Sequence, residues 1–334
     1  MLVNCSGILV CDIIAAGLPK ISKPGELTFA PFGIKPHIGG HAANVSIDLT
    51  KLCLPEGEVS LVGAVGQDLF GDFIEGVLKR HGIITHLERV RKAGTSVDQV
   101  LIVKGEDRRY HADVGANYWL NPDHVLAILK EEKPLIFYVG ATGMLGEFDH
   151  QLAQVLQAAK KLNCVTFVDP VVPYKHGWDP LISALKWIDI FHCNNVEALE
   201  MTGKKELGEA VEVLSKDAKL TVVTTGEYGL LAKVKGRKIN MPAFKVTTVD
   251  PSGAGDAFCA GIIYRLIQIL RHKRIKIYEI STEELIHVLL EGEASGAACV
   301  TDIGTTTAVT RRKVDKLLKE QGSTIMKQVR VYSK

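Results

Sequence analysis

The chain has 334 residues, 46% hydrophobic and 23% charged, with a formal net charge of +2. That balance excludes a disordered chain, and the small charge without a basic block excludes a nucleic-acid partner of the usual kind. No apolar stretch approaches the ~18 residues of a membrane span, Arg265 interrupting the best candidate at 261–270, so no membrane partner is expected.

The N-terminus has no basic segment ahead of an apolar run, so it does not read as a signal peptide. Seven cysteines are scattered without a Cys-x-x-Cys pair. They read as reduced, buried, small hydrophobes of a cytoplasmic protein.

Residues 7–11 read as a first buried strand ending at Asp12. Gly17, Pro19, Pro24, Gly25, Pro31, Gly33 and Pro36 follow, which suit loop or short edge strands. Gly39-Gly40 opens a helix over 42–54. Asn44 lies in its first turn, either as a local cap or as a polar group on a glycine-lined ledge. A strand at 59–65 precedes Asp68, the cap of a helix carrying Phe70, Phe73, Ile74, Val77 and Leu78 at helical spacing. From 96 to 103 the period changes to two, Gly105-Glu106-Asp107 makes a turn, and 109–114 runs back. This is a β-hairpin with one wet face, a lid or an interface. The spacing then predicts strands at 135–140, 164–168, 188–193, 220–225, 230–234, 238–241 and 244–249. Helices are expected around 152–159 and over 207–214, 255–270, 282–300 and 311–320.

Short apolar strands alternating with amphipathic helices imply an α/β chain with a mostly parallel central sheet covered on both faces. Ligands in such sheets bind beyond the carboxyl ends of the strands. Asp12, Asp169, Asn194, Thr225-Gly226, Asp250 and Asp256 all fall at expected strand ends. The stretch Asp250-Pro251-Ser252-Gly253-Ala254-Gly255-Asp256 joins a β-branched run to a helix. Its glycines allow a sharp turn, and the first helical N–H groups make an anion nest. Asp256 at its mouth suits a general base beside a transferring phosphoryl group, although an acid in a first helical turn is also ordinary.

Gly-x-x-x-x-Gly-Lys-[Ser/Thr] and Gly-x-Ser-x-Gly are absent, and Phe258 stands where a dinucleotide fingerprint needs its third glycine. The motifs present resemble those of the ribokinase-like (PfkB) carbohydrate kinases. They are Gly39-Gly40-His41-Ala42-Ala43-Asn44, Gly66-Gln67-Asp68-Leu69-Phe70-Gly71, Asn194-Asn195-Val196-Glu197, Thr224-Thr225-Gly226-Glu227-Tyr228-Gly229 and the stretch from Asp250 to Asp256. His41 stands where ribokinase proper has lysine and Val10 where it has asparagine, which points away from ribose. Asp169-Pro170 followed by Lys175 and Trp178 is similar to the fructokinase and keto-deoxy-gluconate kinase branch.

The resemblance implies a Rossmann-like, mostly parallel central sheet with helices on both faces (the ribokinase-like fold), plus a small β-sheet lid. One domain would span 1–334, with lid segments at 13–37 and 92–116. It implies ATP-dependent phosphorylation of a hydroxyl on a small sugar or polyol, with a nucleoside kinase or a sugar-phosphate kinase as alternatives. Asp256 would be the base, with Gly253, Ala254 and Gly255 as the anion hole. Asp12, Gly39, Gly40 and Asn44 would bind substrate, and Thr224, Gly226 and Gly229 the nucleotide. Asn194 and Glu197 would organise Mg²⁺ through water, and Asp250 and Ser252 would form a loop for K⁺. A homodimer through the lid is expected. A non-catalytic sugar-binding protein on this fold is a further alternative, but a binder needs no base such as Asp256.

Overall fold

The structure, a computed structural model, describes every residue except Asp107, Arg274 and Lys334. The first half carries β1 (Val3–Gly7), β2 (Val10–Leu18), β3 (Ile34–Gly39), β4 (Val59–Gly66), β5 (Ile84–Val90), β6 (Val97–Val103) and β7 (Arg109–Asp113). The second carries β8 (Ile136–Thr142), β9 (Val165–Pro170), β10 (Ile190–Asn194), β11 (Leu220–Thr224), β12 (Leu230–Val234), β13 (Arg237–Met241) and β14 (Arg330–Ser333).

A ten-stranded sheet has the order β14-β13-β12-β11-β10-β9-β8-β1-β4-β5. It is parallel from β11 to β5 and antiparallel through β12, β13 and β14. Every residue of β4 and β8 is buried, as a parallel sheet covered on both faces requires. Successive side chains leave opposite faces. Leu61 therefore joins a core under the helices His41–Lys51, Ala254–His272 and Thr282–Cys299. Val62 joins a second core under Pro122–Glu132 and Leu152–Lys161. This two-layered burial holds the carboxyl ends of β9, β10 and β11 side by side, and Asp169, Asn194 and Thr224 stand there.

A separate four-stranded sheet, β3-β2-β6-β7, stands over those ends. Its β2 runs parallel to β6 and antiparallel to β3. Period-two alternation gives it one inward face. Val10, Asp12 and Ile14 from β2, Asp98 and Val100 from β6, and Tyr110 and Ala112 from β7 all line the same cavity.

Five elements differ from the sequence-based expectations. The expected first strand at 7–11 is split between the two sheets. Gly7 adopts φ +147° where a Cβ would lie 2.1 Å from the Gly140 carbonyl oxygen, and Asn117 bonds both the N–H and the C=O of Leu9. Asp12 is consequently the third residue of a lid strand, not the end of a core strand. The run at 244–249 is not a strand, because β14 already occupies the free edge of β13. Strands β5 and β14 and the helix Pro122–Glu132 were not anticipated. The turn expected at 105–107 ends on Asp107, outside the described residues.

Candidate active site

The helix Ala254–His272 begins at Gly253, which adopts φ +76°. A Cβ there would meet the Thr305 carbonyl oxygen at 2.7 Å, so only glycine fits both the turn and the contact. The N–H groups of Gly253 and Gly255 have no partner among the described residues, and Ala254 N–H makes only a 3.4 Å bond to the Pro251 carbonyl. These amides, with the helix dipole behind them, form an anion nest opening into a cavity of 620 Å³.

Asp256 stands at the mouth of this nest. Its Oδ2 accepts from Asn44 Nδ2 at 2.7 Å, while Oδ1 is buried without a partner. Burial above all, and the nearby Asp169 charge, push its carboxyl up from the usual range; His41 and the Asn44 bond oppose this. His41 Nε2 lies 4.0 Å from Oδ1. Burial disfavours the His41 cation, but Asp256, Asp169 and Glu197 outweigh it and raise its pKa.

Asn44 is placed by the turn at Gly40, whose φ of +91° and contact with the Ile8 carbonyl oxygen exclude a side chain. Its Oδ1 accepts from Thr305 Oγ1 at 2.8 Å. One amide N–H remains for a ligand. Gly39 makes room for Asp12, since a Cβ there would lie 2.2 Å from Asp12 Oδ2.

At the end of β10, Asn194 caps the helix Asn195–Thr202. Asn194 Oδ1 accepts from Glu197 N–H and Glu197 Oε2 from Asn194 N–H, both at 2.9 Å. Both residues line the cavity, and Glu197 Oε1 has no described donor. Burial raises the Glu197 pKa. Asp250 is more fully engaged. Its Oδ1 accepts from the N–H and hydroxyl of Ser252 and its Oδ2 from Gly304 N–H. Ser252 Oγ also bonds Tyr110 of the lid at 2.7 Å.

Thr224 and Gly226 line both the main cavity and a neighbouring slot of 450 Å³. That slot is walled by Phe244, Val246, Phe258, Ala297 and Val300. The run at 244–249 thus serves as a wall, not a strand. Gly229 lines neither cavity. Its φ of +95° and its contact with the Met241 carbonyl oxygen close the turn into β12.

Several residues at this site carry no motif. His192 Nδ1 donates to Asp169 Oδ1 at 2.8 Å, Tyr138 OH donates to Oδ2 at 3.1 Å, and His192 Nε2 lies 3.2 Å from Thr224 Oγ1. Burial acts upward on Asp169, but the His192 charge and hydrogen bond hold its pKa below the usual value. Glu293, in the narrow slot, is 8% exposed and pushed up to about 8 by burial. Asp98 and Asp113 line the lid wall. Asp98 could have been found from hairpin parity, since it shares a face with Val100; nothing in the sequence pairs His192 with Asp169.

The sequence pattern described as pfkB family carbohydrate kinase matches residues 2–312. A fructokinase of Solanum tuberosum is 26% identical over 271 residues, covering 78% of this chain and 82% of its own. The probable fructokinase-5 of Arabidopsis thaliana is 28% identical over 305 residues, covering 85% and 88%. The ribokinase of Giardia lamblia superposes with a TM-score of 0.80 at 22% identity, covering 94% of this chain and 99% of that one. A fructokinase of Xylella fastidiosa, solved with bound ATP, superposes at 0.78 with 22% identity, covering 96% and 99%.

Proposed function

The chain belongs to the pfkB family of carbohydrate kinases, and we propose that it transfers the γ-phosphoryl group of ATP to a hydroxyl of a small sugar or polyol. The observation that carries this reading is Asp256 Oδ1, a buried, unpartnered carboxylate oxygen beside unpartnered helix-terminal amides.

Asp256 takes the hydroxyl proton on Oδ1 while Asn44 holds Oδ2 and fixes the carboxylate plane. The acceptor oxygen bonds to the γ-phosphorus, the bond to the β-phosphate oxygen breaks, and ADP leaves. The amides of Gly253, Ala254 and Gly255 hold the phosphoryl charge during the transfer. Thr224 and Gly226 support the phosphate path, and the slot between Phe244 and Phe258 suits the flat nucleobase. Asp12, Gly39 and Gly40 form the acceptor end.

Mg²⁺ fits Glu197, whose free Oε1 and raised proton affinity suit a hydrated cation, with Asn194 holding the other oxygen through its N–H. When bound, the ion neutralises the phosphate oxygens. K⁺ would depend on main-chain carbonyls of the 250–252 loop, because the Asp250 carboxylate already accepts from three donors. We assign K⁺ no step.

Seven of the cavity-lining residues are Asp or Glu, which disfavours a phosphorylated acceptor by like-charge repulsion. A homodimer through the lid is supported by Leu27, Phe29, Phe32 and Ile34, each at least 65% exposed on the lid segment. Among the described residues no helix is long and apolar enough to cross a membrane.

A panel of sugars and polyols with ATP and Mg²⁺, read by ADP release and product analysis, tests the reading. Turnover with at least one member is expected. Absence of phosphoryl transfer across the panel would overturn it.

A further inference from the structure

The acceptor end of the cavity brings two carboxylates together on neighbouring lid strands. Asp12 on β2 and Asp98 on β6 are register partners on neighbouring parallel strands, and both line the cavity. Asp12 is 8% exposed. Neither carboxylate has a hydrogen-bond or ion-pair partner among the described residues. Their companions on the inward face are Val10, Ile14, Val100, Tyr110 and Ala112. Arg108, which lines the same cavity, is turned to Tyr110 and lies 3.9 Å from Asp250. His37, opposite Asp12 on β3, has its pKa lowered, chiefly by burial, and so supplies no compensating charge near neutral pH. At the transfer end the same cavity is entered by the unpartnered Asp256 Oδ1.

Two carboxylates on neighbouring strands, one buried and one partly buried, repel one another and favour protonation. Consistent with this, burial and then the Asp98, Asp250 and Asp256 charges push Asp12 up to about 8, while burial and Asp113 push Asp98 up to about 6. Sugar hydroxyls would each donate one bond but would leave the mutual repulsion in place. An ammonium group supplies three donors, no lone pairs and the missing positive charge.

We infer that the Asp12–Asp98 pair is a subsite for a protonated amine, so that the preferred acceptor is an amino sugar or amino polyol, held by its amine on the lid and phosphorylated on a hydroxyl at Asp256. This inference rests on the kinase reading above and narrows its substrate class. The amine is not consumed; the chemistry at Asp256 is the same hydroxyl transfer.

The test compares matched acceptors: neutral sugars or polyols, their amino-deoxy analogues, and the N-acetylated forms, which keep the size and lose the charge. Binding is measured by calorimetry on Asp256→Asn, and turnover by ADP release on the unaltered protein. The expected result is that amines bind and react at least about tenfold better than both neutral counterparts, the scale of a charge-assisted bond to a carboxylate. Asp98→Asn, a substitution on a partly exposed strand, should bring that ratio down towards one, and rising salt should do the same. Neutral acceptors equal to or better than the amines would overturn the amine subsite while leaving the kinase reading intact. Absence of transfer to either class would instead overturn the kinase reading.

Discussion

The two walls of the cavity treat their carboxylates in opposite ways. On the core-sheet wall each one has protein partners: Asp169 has His192 and Tyr138, Asp250 has Ser252 and Gly304, and Asp256 has Asn44 on one oxygen. On the lid wall Asp113 accepts from Gly115 N–H, but the neighbouring Asp12 and Asp98 have no partner among the described residues. A preorganised wall holds chemistry in place without help from the ligand. A wall of unsatisfied charge depends on a ligand to complete it. In the proposed reaction the core wall serves transfer and the lid wall recognition, and substitutions should separate the two.

The largest effect away from Asp256 itself is expected at Gly253. Gly253→Ala forces a side chain into φ +76° and to within 2.7 Å of the Thr305 carbonyl oxygen. It should lower kcat by about 10²-fold, as loss of an anion-hole donor does, with acceptor KM changed far less. Steady-state kinetics would read this, and near-normal kcat would break the assignment of the nest.

His192→Leu would strip the hydrogen-bond partner from a buried Asp169. The expected loss of stability is about 3–5 kcal/mol, measured by chemical denaturation. Asp169→Asn combined with His192→Leu should restore part of it. A loss below about 1 kcal/mol would show that the core wall does not depend on this pair.

A smaller effect concerns pH. Glu293 is raised by burial to about 8. A folded-state pKa above the unfolded value means that the native state binds the proton more tightly. Stability is then lost as pH rises from about 4 towards 8. Glu293→Gln removes this contribution, so its melting temperature at pH 8 should exceed that of the unaltered protein by about 2–4 °C, with little difference near pH 4. Equal shifts at both pH values would contradict the assignment.

The smallest effect on catalysis is expected in the outer lid. Replacing Phe29 and Phe32 together by Asp should convert the proposed dimer to a monomer in sedimentation experiments, since both are more than two-thirds exposed on the same segment. An unchanged sedimentation coefficient would remove these residues from the interface.

The inner strands of the central sheet were legible because burial on both faces demands continuous apolar runs such as 136–142, whereas the edge strands β5 and β14 were not. The carboxyl ends of the inner strands pointed to Asp169, Asn194 and Thr225-Gly226 by architecture alone. What could not be read locally was decided by distant chain segments. The break after Gly7 is imposed by Gly140, and the run at 244–249 lost its strand partner to the C-terminal β14. Asp256 was legible because its helix start carries its own signal in Gly253-Ala254-Gly255. Asn44 was legible as a site residue, but its bond to Asp256, 212 positions away, was not. The Asp12–Asp98 pair depends on strand register between β2 and β6, which hydrophobic spacing does not specify.

The division between the walls is tested most directly by measuring kcat and acceptor KM for Asp256→Asn and Asp98→Asn in parallel with one good acceptor. The account predicts a kcat loss of about 10²–10⁴-fold for Asp256→Asn with KM within a few-fold. For Asp98→Asn it predicts a KM rise of about tenfold with kcat nearly unchanged. Full turnover by Asp256→Asn, or a loss at Asp98→Asn confined to kcat, would contradict it.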